Sequence, residues 1–359
     1  MVTRDYDLMG ESGRKAVEIG LAAAEWYHTD IPRKDMKQLM KRSDGPAIRD
    51  SILYYGALIV RGACAAWLWP SDWAVPVFLA YGVLYASGAD SRWHEAGHGT
   101  AFKTPWMNTV VYHIACFMII RNPTIWRWSH ARHHTDTIIV GRDPEIVTMR
   151  PPDMFKVGLL IFGLHSIEGF VNMLRYATSG LNDAEKSYVP ENERWKVRKV
   201  AQVWIAIYAA TLLTAIVLGT VVPLLLIGGP VIYGSWHFLM TGLLQHTGLA
   251  DNVIDHRLNS RTVLMNPISR FIYWNMNYHI EHHMFPMVPY HALPALHAKI
   301  KHDLPAPNRS LAEGVTEVIR ALRRQLTDKE YRIEKTLPAN ARPYRLDYHA
   351  QALGLPTEA

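Results

Sequence analysis

An uncharged run of 48 residues extends from Val203 to Ala250 and reads VWIAIYAATLLTAIVLGTVVPLLLIGGPVIYGSWHFLMTGLLQHTGLA. A helix that crosses a bilayer needs about 20 apolar residues, so this run is long enough for two crossings. Val222-Pro223 and Gly228-Gly229-Pro230 are the positions at which a helix would break. We therefore predict two membrane spans, at 203–221 and 225–246.

A second, weaker pair of apolar segments lies upstream, at 52–69 and 73–90, joined by the turn Pro70-Ser71-Asp72. Arg61 interrupts the first of these segments, and an unpaired charge inside a membrane costs several kcal/mol. Either Arg61 faces the interior of a helical bundle or the span ends elsewhere. An interfacial helix over 52–69 is the alternative.

Composition and charge agree with a membrane protein. Charged residues make up only 19% of the chain, where soluble domains have about a quarter. The two cysteines, Cys64 and Cys116, exclude a disulfide scaffold, an iron–sulfur cluster and a cysteine zinc site. Lys and Arg concentrate in 121–202 and 256–359, which places these segments and both termini in the cytoplasm. The net charge of +6 then indicates a cytoplasmic membrane face and not a nucleic-acid partner.

We predict an all-α membrane protein with about four transmembrane helices in two hairpins and a cytoplasmic helical cap. Residues 106–120 and 154–174 are too short or too polar to span and are expected to form amphipathic helices. The expected organisation is a cytoplasmic N-terminal segment (1–50), a membrane domain (51–300) and a cytoplasmic C-terminal segment (301–359). A multi-pass protein of this kind would lie in the plasma (inner) membrane if the source is bacterial.

Eight of the 18 histidines form three tight groups, which the predicted topology places in the cytoplasmic cap. Residues three and four apart share one face of a helix, so each group directs two or three imidazoles to one point. Neutral imidazole is a good ligand for iron, zinc, copper and nickel. Metal binding is therefore the expected role of these histidines: His94 and His98; His130, His133 and His134; His279, His282 and His283.

Two other classes of function fit part of this pattern. His94-Glu95-Ala96-Gly97-His98 matches the HExxH motif of zinc peptidases, with Glu95 as the base. A single tetrahedral zinc would leave most of the other clustered histidines without a role. A metal transporter would need polar groups at mid-membrane, and only Arg61 and His237 qualify. Eight imidazoles suit two metals better than either alternative.

The three histidine groups, their order and the span pattern over residues 50–300 resemble the membrane fatty acid desaturase/hydroxylase superfamily. The stretches NYHIEHHMFP (277–286) and PYHALP (289–294) carry much of the resemblance, which is greatest to the rhizopine-oxygenase-like branch. The resemblance implies a di-iron centre that uses dioxygen and two electrons to oxidise an unactivated C–H bond. In the rhizopine-oxygenase-like branch, the implied reaction is oxidative demethylation of a small polar substrate.

The resemblance assigns the iron ligands residue by residue. It makes the eight clustered histidines both ligands and catalytic residues, and it adds His246 from the end of the last span as a ninth ligand. Carboxylates that hold the ligating imidazoles would offset the charge of two irons. Those in or beside the groups are Glu95, Asp136, Asp143 and Glu281.

The leading hypothesis is an oxygenase or desaturase that acts on a small or amphipathic substrate by hydroxylation, oxidative demethylation or desaturation. A fatty acyl desaturase or hydroxylase is the alternative. The sequence contains no haem domain, flavin fingerprint or cysteine cluster, so we expect an external donor: a ferredoxin, with a Rieske type among the candidates, and its reductase. A basic face could dock such an acidic protein. Its expected members are Arg121, Arg127, Arg132 and Arg142.

Overall fold

The computed structural model describes residues 4–345, and helices make up its regular structure. Two isolated β-bridges, Thr262–Tyr278 and Val263–Asn308, are the only β-pairings in this part of the chain. The predicted all-α class is confirmed. In chain order the helices are α1 (Glu11–Glu18), α2 (Arg33–Leu39), α3 (Asp44–Leu68), α4 (Ala74–Gly97), α5 (Pro105–Met118), α6 (Pro123–Thr135), α7 (Met154–Ile161), α8 (Leu164–Thr178), α9 (Asp183–Lys186), α10 (Arg194–Leu218), α11 (Val222–Leu226), α12 (Pro230–Tyr233), α13 (Ser235–His246), α14 (His256–Asn259), α15 (Pro267–Ile272), α16 (His279–Met284), α17 (Leu293–Ile300) and α18 (Leu311–Gln325).

Two helical stretches of residues 4–345 are long and apolar enough to cross a membrane: Arg33–Leu68, which ends in α3, and Glu191–Leu218, which contains α10. The predicted spans at 52–69 and 203–221 fall on these two helices. Both carry rows of large apolar side chains on their outer surfaces, as lipid contact requires. Examples are Ile52, Ile59 and Val60 on α3 and Leu213, Ile216 and Val217 on α10.

The other two predicted spans are not among the helical stretches that are long and apolar enough to cross a membrane. Residues 73–90 lie in α4, which is the central helix of the fold, packs against α3 and α5 and is buried along most of its second half. Residues 225–246 do not form one helix, because the chain breaks into α11, α12 and α13. Gly228 has a φ of +81°, which glycine adopts without strain. The predicted break at Gly228-Gly229-Pro230 is therefore present, but the four-span, two-hairpin topology stays a prediction.

The predicted amphipathic segments form helices, though not with the expected continuity. Residues 106–120 correspond to α5. Residues 154–174 are divided between α7 and α8, which meet at an angle of 85° around Gly163. At Gly163 a Cβ atom would lie 2.7 Å from the Ile232 Cα, so the close approach of this turn to α12 needs glycine. Arg61 is exposed, so it does not face the bundle interior.

The terminal segments are tied to the domain by buried polar contacts. The Arg257 guanidinium is fully buried and donates to Asp255, to Asp303 and to the Arg342 carbonyl. Arg4 near the N-terminus pairs with Asp251 at 2.7 Å. The expected boundaries at 1–50, 51–300 and 301–359 stay predictions, and residues 1–3 and 346–359 lie outside the described part.

Candidate metal centre

Four helices bring nine imidazoles to one place beside the C-terminal end of α4. His94 lies in the last turn of α4, and His98 follows its last residue. Helix α6 begins at Pro123, where the Asn122 side chain accepts hydrogen bonds from the Thr124 and Ile125 amides. Its last turns carry His130, His133 and His134; α16 carries His279, His282 and His283; and His246 ends α13.

The nine imidazoles separate into two sets of converging nitrogen atoms. Within each set, the atoms that could bind a metal all lie within 4.8 Å of one another. We call them the five-histidine group and the four-histidine group. The five-histidine group consists of His94, His98, His130, His134 and His282, and the four-histidine group of His133, His246, His279 and His283. All nine histidines expected to bind metal are thus brought together, and neighbours such as His282 and His283 belong to different groups.

The spacing of the nitrogen atoms fits metal coordination. In the five-histidine group the His94 and His282 Nε2 atoms are 2.9 Å apart, and those of His98 and His130 are 3.1 Å apart. In the four-histidine group the His279 Nε2 atom is 3.0 Å from that of His246. Two nitrogens that bind one metal at about 2.1 Å, at right angles to each other, lie about 3 Å apart. The donor set therefore fits two metal ions, one in each group.

The outer ring nitrogens of several imidazoles have hydrogen-bond partners that leave Nε2 free to bind metal. His133 Nδ1 contacts Asp143 Oδ2 at 2.8 Å, and His130 Nδ1 contacts Glu145 Oε2 at 3.0 Å. His246 Nδ1 donates to the Asn259 carbonyl at 2.8 Å. His283 Nδ1 lies 3.3 Å from the Thr137 hydroxyl. These contacts fix the orientation of four of the nine rings.

For the imidazoles that lie outside the membrane segments, burial is the main influence on the pKa. It lowers the pKa of His134, His282 and His283 well below the ordinary value, which keeps these rings in the neutral, ligating form. Burial also disfavours charge on His133, but the charge and hydrogen bond of Asp143 outweigh this and raise its pKa. Burial raises the pKa of Glu145 to about 7.

Of the four carboxylates expected to hold the ligands, the structure places only Asp143 against one of them. Glu95 accepts hydrogen bonds from the Thr100 hydroxyl at 2.7 Å and the Tyr290 amide at 3.0 Å. Asp136 pairs with Arg142 at 3.0 Å. Neighbours in sequence lie on different faces of a helix, so an acid next to a ligand histidine points elsewhere.

Glu281, the fourth of these acids, is fully buried beside His282 yet contacts neither group. It accepts a hydrogen bond from the Thr262 hydroxyl at 2.6 Å and forms a short contact with His297 Nδ1. Glu281 thus ties α16 to α17 and to the segment before α15. Glu95, Asp136 and Glu281 were expected to hold ligand imidazoles. The structure instead pairs these three acids with other residues.

Sequence reasoning missed Glu145, which contacts His130 from a loop 15 residues downstream. The available signal was a second acid shortly after the histidines of α6, in Asp143-Pro144-Glu145. His256 was also missed. Its ring is fully buried, stacks on Trp26 at 4.2 Å and lies 5.1 Å from the His283 ring, so it supports the four-histidine group from outside.

The arginines expected to form a basic docking face are largely occupied by contacts within the chain. Arg132 and Arg142 both pair with Asp136, at 3.6 and 3.0 Å. Arg121 pairs with Asp90 at 3.2 Å and lines an internal cavity. The Arg127 guanidinium lies 5.0 Å from the Tyr112 ring. These residues therefore do not form an unengaged basic surface.

The cavity that Arg121 lines has a volume of about 190 Å³ and reaches both histidine groups. His94 and His130 of one group and His133 and His246 of the other form part of its wall. Apolar and aromatic side chains supply much of the rest. They include Trp93, Trp126, Leu160, Phe238, Leu239 and Leu243.

A model of the fatty acid desaturase family matches residues 67–314, which contain all nine histidines. The chain belongs to the fatty acid desaturase family. It is therefore an oxidoreductase of the di-iron desaturase type. A zinc peptidase would need Glu95 beside its metal, and the structure turns this residue toward Thr100 and Tyr290 instead.

Similar desaturases come from plants. The chain is 24% identical over 296 residues to an acyl-lipid omega-3 desaturase (cytochrome b5) of the endoplasmic reticulum of Arabidopsis thaliana, covering 76% of this chain and 74% of the relative. It is 25% identical to a chloroplastic omega-3 fatty acid desaturase of Glycine max, covering 72% of this chain and 60% of the relative. An sn-2 acyl-lipid omega-3 desaturase (ferredoxin) of Helianthus annuus is 24% identical, with 75% of this chain and 64% of the relative covered.

The names of these relatives give an electron donor or a membrane compartment for each protein. Their names include cytochrome b5 and ferredoxin, which supports an electron-donor partner for desaturases of this kind. The named compartments are the endoplasmic reticulum and the chloroplast. Together with the two apolar helical stretches, they support a membrane-bound desaturase that depends on an electron donor.

Proposed function

We propose that this desaturase-family member holds one iron in each histidine group and oxidises a C–H bond of an amphipathic substrate bound in the cavity. When bound, two irons supply the activation of dioxygen and the removal of hydrogen from carbon. The observation that carries the proposal is the convergence of nine imidazoles into two groups beside one cavity. The eight clustered histidines and His246 are the proposed ligands.

The chain's own residues would position the substrate and keep the site dry. Trp93, Trp126 and Phe238 cover the apolar part of a ligand and exclude water from the wall beside His94 and His130. Asp143 and Glu145 hold the rings of His133 and His130 and, as carboxylates, offset metal charge. The aromatic side chains of the cavity wall, and not the histidines, would therefore hold the reacting carbon of the substrate in place.

The polar groups of the cavity favour an amphipathic substrate over a plain acyl chain. Phe238 lies about two turns before His246 on α13, and the charged pair Asp90–Arg121 is next to it. The pair Arg150–Asp251, at 3.7 Å, lies beyond His246, next to Leu249. The cavity thus has charged groups on both sides of the histidines. For such a substrate we propose oxidation by hydroxylation, by oxidative demethylation, as the rhizopine-oxygenase-like branch would imply, or by desaturation.

Acyl-lipid desaturation is the second candidate, favoured by the named relatives, which are acyl-lipid or fatty acid desaturases. The apolar wall of Leu160, Leu239 and Leu243 could accept part of an acyl chain. In that case the product would carry a new double bond and no new oxygen. This difference in product separates the two candidates.

Electrons would come from a separate carrier, a ferredoxin of plant or Rieske type, with its reductase. The two cysteines do not bind a cluster together, since Cys64 is exposed on α3 and Cys116 is buried on α5. The proposed topology keeps both termini and the histidine groups on the cytoplasmic side of the inner membrane. The relatives named for ferredoxin support the choice of donor.

The function can be tested by growth under heavy-isotope dioxygen. Cells that produce the unchanged chain are compared with cells that produce a His283→Ala variant. We expect a small-molecule product that carries the heavy oxygen, or a demethylated product, only in cells with the unchanged chain. An acyl lipid that has lost two hydrogens without gaining oxygen would support the second candidate. Identical small-molecule and lipid profiles in the two strains would contradict both.

Purified protein in lipid nanodiscs gives the corresponding test of the donor. A plant-type ferredoxin, its reductase and a nicotinamide reductant should support turnover in air of whichever compound the cell comparison identifies. Omission of the reductase should abolish it. Steady turnover by the pure chain in air would contradict the need for an external donor.

A further inference from the structure

A buried ion pair forms part of the cavity wall one helical turn before the first ligand. Asp90 is four residues before His94 on α4, which places it about 6 Å closer to the start of the helix. Arg121, in the segment between α5 and α6, donates from Nη1 to Asp90 Oδ1 at 3.2 Å. The Arg121 side chain is 18% exposed and the Asp90 side chain is 9% exposed, and both line the cavity.

Aromatic side chains hold the pair in one position. The Trp93 indole donates to Asp90 Oδ1 at 2.8 Å. The Arg121 guanidinium carbon lies 3.9 Å from the Trp126 ring and 5.2 Å from both the Trp93 and Phe238 rings. Such contacts stabilise a cation where water is scarce. The pair is therefore a fixed feature of the wall.

The pair has bonding capacity that the protein does not use. Among residues 4–345, Asp90 Oδ2 has no hydrogen-bond partner, and Arg121 uses one of its five N–H groups. Hydrogen bonds to charged groups are stronger than those between neutral groups, so a ligand that bonds to the free positions of the pair gains binding energy. Since both residues face the cavity, the ligand would be the substrate itself.

We propose that Asp90 and Arg121 together bind a hydroxyl group of an uncharged substrate, an inference that rests on the proposed function of the cavity. A single hydroxyl can donate to Asp90 Oδ2 and accept from an Arg121 N–H at the same time. The pair carries no net charge, so an ammonium or carboxylate ligand would bring an uncompensated charge into a buried site. Charge balance thus selects a neutral group.

The location of the pair restricts where oxidation takes place. One indole, that of Trp93, separates it from the ligands, with ring centroids 5.5 Å from His94 and 5.2 Å from His130. A substrate whose hydroxyl binds at the pair presents to the histidine groups a carbon only a few bonds away. An omega-3 position of an acyl lipid, far from the polar head, does not meet this condition.

Binding of three matched probes by the full chain in nanodiscs tests the proposal. The probes are cyclohexanol, cyclohexylamine and cyclohexanecarboxylate, which share a ring and differ in charge. Saturation-transfer NMR, with empty nanodiscs subtracted, should show that the unchanged protein binds cyclohexanol at least tenfold more tightly than either charged probe. Because binding needs no turnover, this result is independent of whether the oxidation reaction is the one proposed.

Charge variants make the test specific. Asp90→Asn leaves Arg121 uncompensated and should shift the preference at least tenfold toward the carboxylate, and Arg121→Gln should shift it toward the amine. The double variant, again neutral, should restore the preference for cyclohexanol. Arg175→Gln breaks an ion pair with Glu185 away from the cavity and should leave the order unchanged. The same order of probes in all variants would overturn the proposal.

Discussion

The four-histidine group and the five-histidine group both direct Nε2 atoms inward, but they differ in the hydrogen bonds that the outer Nδ1 atoms form. In the four-histidine group, three rings have a partner at Nδ1: Asp143, the Asn259 carbonyl or Thr137. In the five-histidine group, among the described residues, only His130 has one, Glu145, while His134 and His282 have none at Nδ1. The group with fewer ligands thus has more outer hydrogen bonds. We therefore expect outer contacts to stabilise a metal in the four-histidine group and the number of ligands to stabilise a metal in the five-histidine group.

Loss of one ligand from each group should have the largest effect. His282 and His283 are adjacent in α16 but belong to different groups. His283→Ala leaves three ligands and His282→Ala leaves four, so we expect both to abolish product formation and His283→Ala to lose more iron. Elemental analysis of the two purified variants measures this. Equal iron loss, or greater loss in His282→Ala, would remove the distinction between the groups.

Asp143→Asn should have the next largest effect. The Asp143 carboxylate holds His133 Nδ1 at 2.8 Å, and loss of such an outer contact typically lowers metal affinity by about 10- to 100-fold. Competition with an iron chelator should show this loss for one iron per chain. Asp136→Asn is the matched control, since Asp136 pairs with Arg142 and should leave iron affinity unchanged. Similar losses in the two variants would contradict a specific role for Asp143.

Glu145→Gln should lower iron affinity less than Asp143→Asn does. Glu145 supports His130, whose group retains four further imidazoles. A reduction below the 10- to 100-fold range typical of outer contacts is therefore expected, confined to the five-histidine group. The same chelator competition measures it. A loss larger than that of Asp143→Asn would show that ligand number does not protect the five-histidine group.

Glu95→Gln should have the smallest effect on the centre. Glu95 holds the Tyr290 amide and Thr100, so the change should cost about 1–3 kcal/mol of stability and leave the iron content intact. Thermal unfolding in nanodiscs and elemental analysis measure the two quantities. A di-iron oxidase would be impaired at most, whereas a peptidase would lose its base. Loss of iron in this variant would place Glu95 at the centre after all.

The sequence predicted which imidazoles lie together far better than it predicted the residues that contact them from outside. Spacing within α6 and α16 placed the imidazoles, because residues three and four apart share a helix face. The same geometry turned Glu95 and Glu281 away from the groups. Glu145 reaches His130 through a loop whose path no local periodicity indicates. Partners that depend on loops and on long-range packing could not be predicted this way.

The fold was predicted in the same uneven way. Apolar length identified α3 and α10, because a lipid-facing helix carries its signal in its own sequence. It did not identify α4 as a central helix, since burial in protein and burial in lipid select the same residues. The run 225–246 was apolar enough to span, but the positive φ of Gly228 and the close contact between Gly234 and Gly82 accompany its division into α11, α12 and α13.

Metal content per chain tests the central claim most directly. Elemental analysis would use the full chain, purified in lipid nanodiscs from cells grown without added zinc. Two histidine groups that each bind one iron predict about two irons per chain and little zinc. One zinc with no iron would contradict the account and direct attention to His94, Glu95 and His98 as a hydrolase site.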